Sequence, residues 1–188
     1  MSGRTIWTAV ICVFALWHLP HANAYPPSAE NNKIVTAKFA EARRLFVDSL
    51  PEDGNRLENL LVDCIRIDPD NAELFALLAR VIVWQVANSL KDPAEMHQAL
   101  DLAVQAKDLA PERPLGDLAI AEIYLAMGQK VYGEGIYRSL KEKFPRHVDV
   151  LAFEARYFAG TDPSLSLAAS QAALALGHPM DDLSLSIV

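Results

Sequence analysis

An internal repeat with a period near 34 residues constrains this sequence more than any other feature. A shift of 34 residues superimposes Ala121 on Ala155 and Tyr124 on Phe158. Prolines at the ends of apolar stretches recur at intervals of 42, 34 and 34 residues, at Pro69, Pro111, Pro145 and Pro179. A fixed period of this length is typical of chains in which no single helical pair buries its apolar face alone, so that neighbouring pairs stack. The sequence therefore predicts a stack of helix-turn-helix units.

Apolar side chains follow helical rather than strand spacing along the chain. Leu74, Leu78 and Val81 recur every three or four residues, and no sustained alternation of β-branched residues indicates a strand. Asp70 and Asp92 are each followed three residues later by glutamate, which is the spacing of a capping box at a helix start. The sequence therefore predicts helices almost throughout, joined by short turns.

Small and aromatic residues recur at fixed positions within the repeated units. One aromatic or bulky position holds Phe46, Ile82, Tyr124 and Phe158. In these features residues 36–181 resemble the tetratricopeptide repeat family, whose unit is a 34-residue helix-turn-helix with small residues where its helices touch. Gly133 would be such a close-contact residue. The resemblance implies an all-α fold, a right-handed α-solenoid of about four units whose first helices line a concave groove.

The second unit departs from the family pattern. It carries eight extra residues between its helices, around Val86 to Asp92. We expect them to extend one helix from Leu74 to Leu90, which would then protrude about two turns beyond its neighbours at 1.5 Å per residue.

The first 24 residues have the three parts of a secretory signal peptide. Arg4 precedes an apolar run at residues 6–17, and the small residues of Ala22–Ala24 predict cleavage after Ala24. A turn-rich linker is predicted at residues 25–35, and a C-terminal tail at 182–188. An uncleaved anchor is the alternative, although the run is shorter than the ~20 residues of a spanning helix. We therefore expect an exported protein, periplasmic if bacterial and otherwise secreted, with no stable membrane insertion after cleavage.

Composition and motifs exclude several classes of function. The chain has 17 basic and 24 acidic residues, a formal charge of -7, whereas general nucleic-acid-binding proteins are basic. Cys64 would be the one cysteine left after signal cleavage, and its apolar neighbours predict a buried thiol. The sequence has no zinc-protease, nucleophilic-serine or phosphate-loop motif, so we expect no metal, no cofactor and no catalysis.

Charged residues recur at the position that the resemblance places on the groove wall. In successive units this position holds Arg44, Arg80, Glu122 and Arg156. Guanidinium groups bind carboxylates in a two-pronged way, which predicts a peptide or protein partner with acidic side chains or a free carboxylate. The alternative is that these residues pair within the fold: Arg44 with Glu41, Arg80 with Glu73 or with a neighbouring unit, and Arg156 with Glu122. Trp84 would be buried in the core or exposed as an interface anchor.

Two functions follow from these expectations. The first is a non-catalytic scaffold or adaptor that binds a peptide or partner protein in the groove. The alternative is a structural subunit or assembly factor of a larger cell-envelope complex. Such a subunit would be joined by end-to-end stacking or by its C-terminal tail, whose Ser186-Ile187-Val188 is similar to the peptides that PDZ domains bind.

Overall fold

The structure of the chain, a computed structural model, describes residues 29–48 and 50–176, and this part of the chain contains helices and no strand. Its α-helices are α1 (Ala29–Asp48), α2 (Gly54–Ile67), α3 (Ala72–Ala87), α4 (Met96–Leu109), α5 (Leu115–Ala126), α6 (Lys130–Lys143), α7 (Val148–Phe158) and α8 (Pro163–Ala175). Two 3₁₀ helices, Pro51–Asp53 and Pro93–Glu95, precede α2 and α4. The predicted all-α fold is confirmed. The predicted signal peptide at 1–24 and tail at 182–188 lie outside the described residues.

The first helix begins earlier than the sequence indicated. α1 starts at Ala29, so residues 29–35, predicted as linker, form its first turns. Val35 explains the extension, because its side chain is buried in the main core and its carbonyl faces the Cys64 thiol at 3.9 Å. Tertiary packing of this kind commonly overrides weak local helix propensity.

The buried apolar side chains form several clusters along the successive helices. The main cluster joins α1 to α5, and its largest fully buried apolar side chains are Leu57, Leu61, Leu74, Ile82 and Ile123. Fully burying one leucine or isoleucine contributes about 1.5–3 kcal/mol. Each of α1 to α4 packs on the helix that follows it, and α3 with α5 and α5 with α7 are in contact as well. The helices α3, α5 and α7 therefore lie side by side.

Cys64 is buried in this core, as predicted. Its thiol is free, and burial raises its pKa. Across residues 29–48 and 50–176, no helix is both long enough and apolar enough to cross a bilayer.

Two glycines allow neighbouring helices to approach closely. A Cβ atom at Gly133 would lie 2.6 Å from Cγ of Leu125 and 2.9 Å from the carbonyl oxygen of Ala121, which confirms the packing role predicted for Gly133. Gly116 is tighter, because its Cβ would lie 2.4 Å from the backbone nitrogen of Lys107. Glycine is thus required where α6 meets α5 and where α5 meets α4.

The eight extra residues of the second unit lengthen its helix less than the sequence predicts. α3 ends at Ala87 rather than at Leu90, so the predicted end is wrong. With 16 residues, α3 is longer than α5 (12 residues) and α7 (11 residues) by little more than one turn, not by two. Ser89 adopts a left-handed conformation with φ 59°, and the Leu90 N–H donates to the carbonyl of Gln85 at 2.8 Å. This is the hydrogen bonding of a Schellman motif, which terminates the helix.

The helix starts agree with the sequence at one predicted site and differ at another. Asp92 accepts a hydrogen bond from the Ala94 N–H at 2.8 Å, as expected of a cap. At α3 the cap is Asn71 rather than Asp70, and it accepts a hydrogen bond from the Glu73 N–H at 3.1 Å. Aspartate and asparagine are both good helix caps, so the sequence alone could not decide between Asp70 and Asn71.

Candidate functional site

A cavity of about 220 Å³ opens on the face formed by α1, α3, α5 and α7. Its lining residues come from those four helices and from the connection that precedes α5. The charged members are Arg43, Arg80, Arg113, Arg156, Glu73, Glu122 and Asp149. The apolar members are Phe39, Phe46, Ala76, Leu77, Leu115, Leu118 and Ala152. Cationic groups outnumber carboxylates here, although the whole chain is acidic.

Glu122 forms the centre of an ion-pair triad in this cavity. Arg80 donates from Nε to Oε2 of Glu122 at 2.8 Å, and Arg156 donates from Nη2 to Oε1 at 2.9 Å. The side chain of Arg80 is only 22% exposed, that of Glu122 19% and that of Arg156 25%. Partial burial reduces screening by water, so the two arginines hold Glu122 more firmly than surface ion pairs would.

The two arginines also set the ionisation of Glu122. Burial by itself raises the pKa of a carboxyl group, but attraction to Arg80 and Arg156, with their hydrogen bonds, outweighs it. The pKa of Glu122 therefore lies below its ordinary value of 4.5. Glu122 is charged at neutral pH, and the triad persists well into the acidic range.

The aromatic wall of the cavity comes from one face of α1. Phe39, Arg43 and Phe46 are spaced four and three residues apart, so they lie on the same side of the helix. The guanidinium of Arg80 stands over the Phe46 ring, 5.2 Å from its centroid, in a cation-π contact. Arg80 is thus oriented from two directions, by Phe46 and by Glu122.

A second ion pair marks the more exposed side of the cavity. Arg113, in the connection before α5, donates to Oε1 of Glu73 on α3 at 2.6 Å. Their side chains are 44% and 39% exposed. Because both are well solvated, this pair contributes little to stability, and Arg113 is easier to redirect towards a ligand than the arginines of the triad.

The structure brings together three of the five residues singled out from the sequence. Arg80 is 42 residues from Glu122, and Glu122 is 34 residues from Arg156, the same intervals that separate the terminal prolines. Residues separated by these two intervals therefore stand next to one another. The expected pairing of Arg156 with Glu122 is observed.

Arg44 is placed differently from the prediction. It lies on the exposed side of α1 and is not among the lining residues, whereas its neighbour Arg43 is. One residue along a helix is a rotation of about 100°, and the burial of Ala42 and Leu45 sets that rotation. The first two units are thus offset by 37 residues, from Arg43 to Arg80, rather than by 36. Glu41, the partner expected for Arg44, forms an ion pair with Arg56.

Trp84 lies away from the cavity. It is half-buried, and a Cβ atom at Gly54 would lie 3.4 Å from its ring atom Cζ3, so the ring packs against the start of α2. Trp84 is therefore neither fully buried in the core nor exposed as an interface anchor, the two alternatives that the sequence left open.

Sequence reasoning missed several lining residues. Phe39, Arg43 and Phe46 could have been predicted as a group, because their spacing of four and three residues places them on one helix face. Arg113 and Asp149 could not have been predicted, because no local sequence pattern indicates which connection or helix start will face the cavity.

The charge of the cavity favours an anion over a metal ion. Four arginines are interspersed with its three carboxylates, and guanidinium groups repel cations. Over residues 29–48 and 50–176, no group of three or more histidine, cysteine, aspartate or glutamate residues is arranged to hold a metal. No family model, curated protein or solved structure matches this chain. The cavity is therefore the main guide to function.

Proposed function

We propose that this protein is a non-catalytic scaffold that binds an acidic segment of a partner protein in the cavity. One observation carries the proposal: Arg43, Arg80, Arg113 and Arg156 converge on a single cavity from four separate parts of an acidic chain. Four guanidinium groups face three carboxylates in this cavity, which leaves it with one positive charge in excess and makes it attractive to an anion. Arginine is also the side chain best suited to planar carboxylates.

The size and walls of the cavity favour a peptide segment as the ligand. At about 220 Å³, it is smaller than the ~300–1,000 Å³ that drug-sized ligands usually occupy. It has room for a few side chains rather than for a large cofactor. The Phe39 and Phe46 rings and the leucines of the wall suit apolar residues next to the acidic ones. The ligand class is therefore an acidic segment with interspersed apolar residues.

The repeat architecture forms part of the same proposal. Four tetratricopeptide-like helical pairs in a right-handed solenoid would place the first helix of each pair on the concave side. The ion pairs that join residues 34 and 42 apart support this arrangement, because they link equivalent positions of neighbouring units. We place the scaffold in an exported compartment, on the signal-like pattern of residues 1–24.

Arg43 and Arg44 provide a matched pair for testing this function. We suggest measuring, by fluorescence anisotropy, the binding of a labelled hexapeptide of alternating glutamate and leucine, here called the acidic probe peptide. Arg43→Ala removes a lining guanidinium, and we expect it to weaken binding about fivefold, within the range of single charged contacts. Arg44→Ala removes the same charge from the exposed side of α1, so binding should be unchanged.

Two results would contradict the proposed ligand class. One is equal binding of a peptide in which every glutamate is replaced by glutamine. The other is equal weakening by Arg43→Ala and Arg44→Ala, which would indicate a general effect of charge rather than contact in the cavity.

A second candidate function is favoured by the composition of the last described helix. α8 contains no charged residue, and Leu165 and Leu167 on it are 37% and 51% exposed. Exposed leucines on this helix are suited to packing against a neighbouring subunit in a larger assembly. If the chain is a structural subunit, Leu165→Glu with Leu167→Glu should release it from a large complex in native extracts, whereas Arg43→Ala should not.

A further inference from the structure

We infer that Glu122 is a built-in competitor of the acidic ligand, holding the arginine donors that a ligand carboxylate would otherwise take. The inference rests on the proposed function and names the residue that sets the affinity and selectivity of its site. It differs from a purely structural role, in which Glu122 would only orient the arginines.

The geometry of the triad supports this role. Both carboxylate oxygens of Glu122 accept hydrogen bonds, one from Arg80 at 2.8 Å and one from Arg156 at 2.9 Å. A ligand carboxylate in the same place would accept the same two charge-assisted hydrogen bonds, one on each oxygen. Glu122 itself lines the cavity, so a ligand carboxylate that approaches either arginine also approaches a fixed negative charge. It must displace Glu122 or tolerate that repulsion.

A tethered competitor selects for ligands with several carboxylates. A group attached to the same chain acts as though it were present at millimolar concentration or above, so an isolated ligand carboxylate competes poorly with Glu122. A segment with several acidic side chains contacts Arg43 and Arg113 as well, and these additional contacts offset the competition. Glu122 therefore favours multiply acidic segments over chance single carboxylates.

Glu122→Gln tests the inference, because glutamine keeps the shape of the side chain and removes its charge. We expect this variant to bind the acidic probe peptide about tenfold more tightly than the unmodified chain, a change of about 1.4 kcal/mol. A peptide with a single glutamate should gain detectable binding as well.

Glu58→Gln is a matched control for the loss of one negative charge. Glu58 pairs with Lys91 at 3.0 Å, its side chain is 23% exposed against 19% for Glu122, and it is not among the residues that line the cavity. We expect its affinity for the acidic probe peptide to be unchanged. Circular dichroism would verify that both variants are folded. If Glu122→Gln fails to fold, Glu122→Asp replaces it, because its shorter carboxylate cannot keep both contacts and should give a smaller gain.

The outcomes separate this inference from the proposed function. If Glu122→Gln binds no more tightly while Arg43→Ala still weakens binding, the competitor role is wrong and the proposed function stands. If Glu122→Gln binds more weakly, Glu122 serves to position the arginines, and the inference is also overturned. If neither the unmodified chain nor Glu122→Gln binds the acidic probe peptide, both proposals fail.

Discussion

Three glycines give a graded test of how closely these helices pack. Gly116, Gly133 and Gly135 all lie in helices, and adding one methyl group at each has a different expected effect. At Gly135 nothing lies within 4 Å of the added Cβ, so only the backbone preference counts. Alanine is favoured over glycine in a helix by about 1 kcal/mol, and Gly135→Ala should therefore raise the free energy of unfolding by up to that amount.

At Gly116 the same methyl group collides with backbone. Its Cβ would lie 2.4 and 2.5 Å from the nitrogen and Cα of Lys107, and backbone on a packed helix cannot rotate away as a side chain can. The helices α4 and α5 must separate by about 1 Å or more, which costs about 1–3 kcal/mol in a close-packed interior. This cost exceeds any gain in helix propensity, so Gly116→Ala should be destabilising.

Gly133→Ala should fall between the two. Its nearest neighbour would be the flexible Leu125 side chain at 2.6 Å, but the Ala121 carbonyl oxygen at 2.9 Å cannot move as easily. Urea unfolding followed by far-ultraviolet circular dichroism would measure all three variants against the unmodified chain. If Gly116→Ala were as stable as Gly135→Ala, the close approach of α4 and α5 would be wrong.

Two further predictions concern buried charge. The pKa of Glu122 is lowered on folding, so its ion pairs contribute stability above the unfolded pKa near 4.5 and lose it as the pH falls through the lower folded value. The stability difference between the unmodified chain and Glu122→Gln should therefore be constant near neutral pH and shrink as the pH falls below 4.5 in urea titrations; a pH-independent difference would refute this. Glu154 is 6% exposed and pairs with Lys141. Lys141→Ala should cost about 1–3 kcal/mol, and adding Glu154→Leu should recover part of it; full stability of the single variant would argue against the pair.

The sequence predicted those features that depend on regular spacing. The all-α fold and the burial of Cys64 follow from periodicity and neighbouring residue types, and the small residue at Gly133 follows from the resemblance of the repeated units to a known helical repeat. Features that depend on the choice between adjacent residues were not predictable. Asn71 rather than Asp70 caps α3, because both side chains suit the role and the fold decides which one reaches the free N–H.

The ion-pair triad and the other arginines of the cavity separate what the sequence determined from what depended on the tertiary structure. The intervals of 42 and 34 residues were already present in the sequence, and they sufficed to align Arg80, Glu122 and Arg156, whose helices α3, α5 and α7 lie side by side. Only the tertiary structure decided that Arg43 rather than Arg44 faces the cavity and that Arg113 joins it from a connection. A rotation of one residue in α1 is set by which side chains its neighbours bury, and that depends on contacts between helices far apart in the chain.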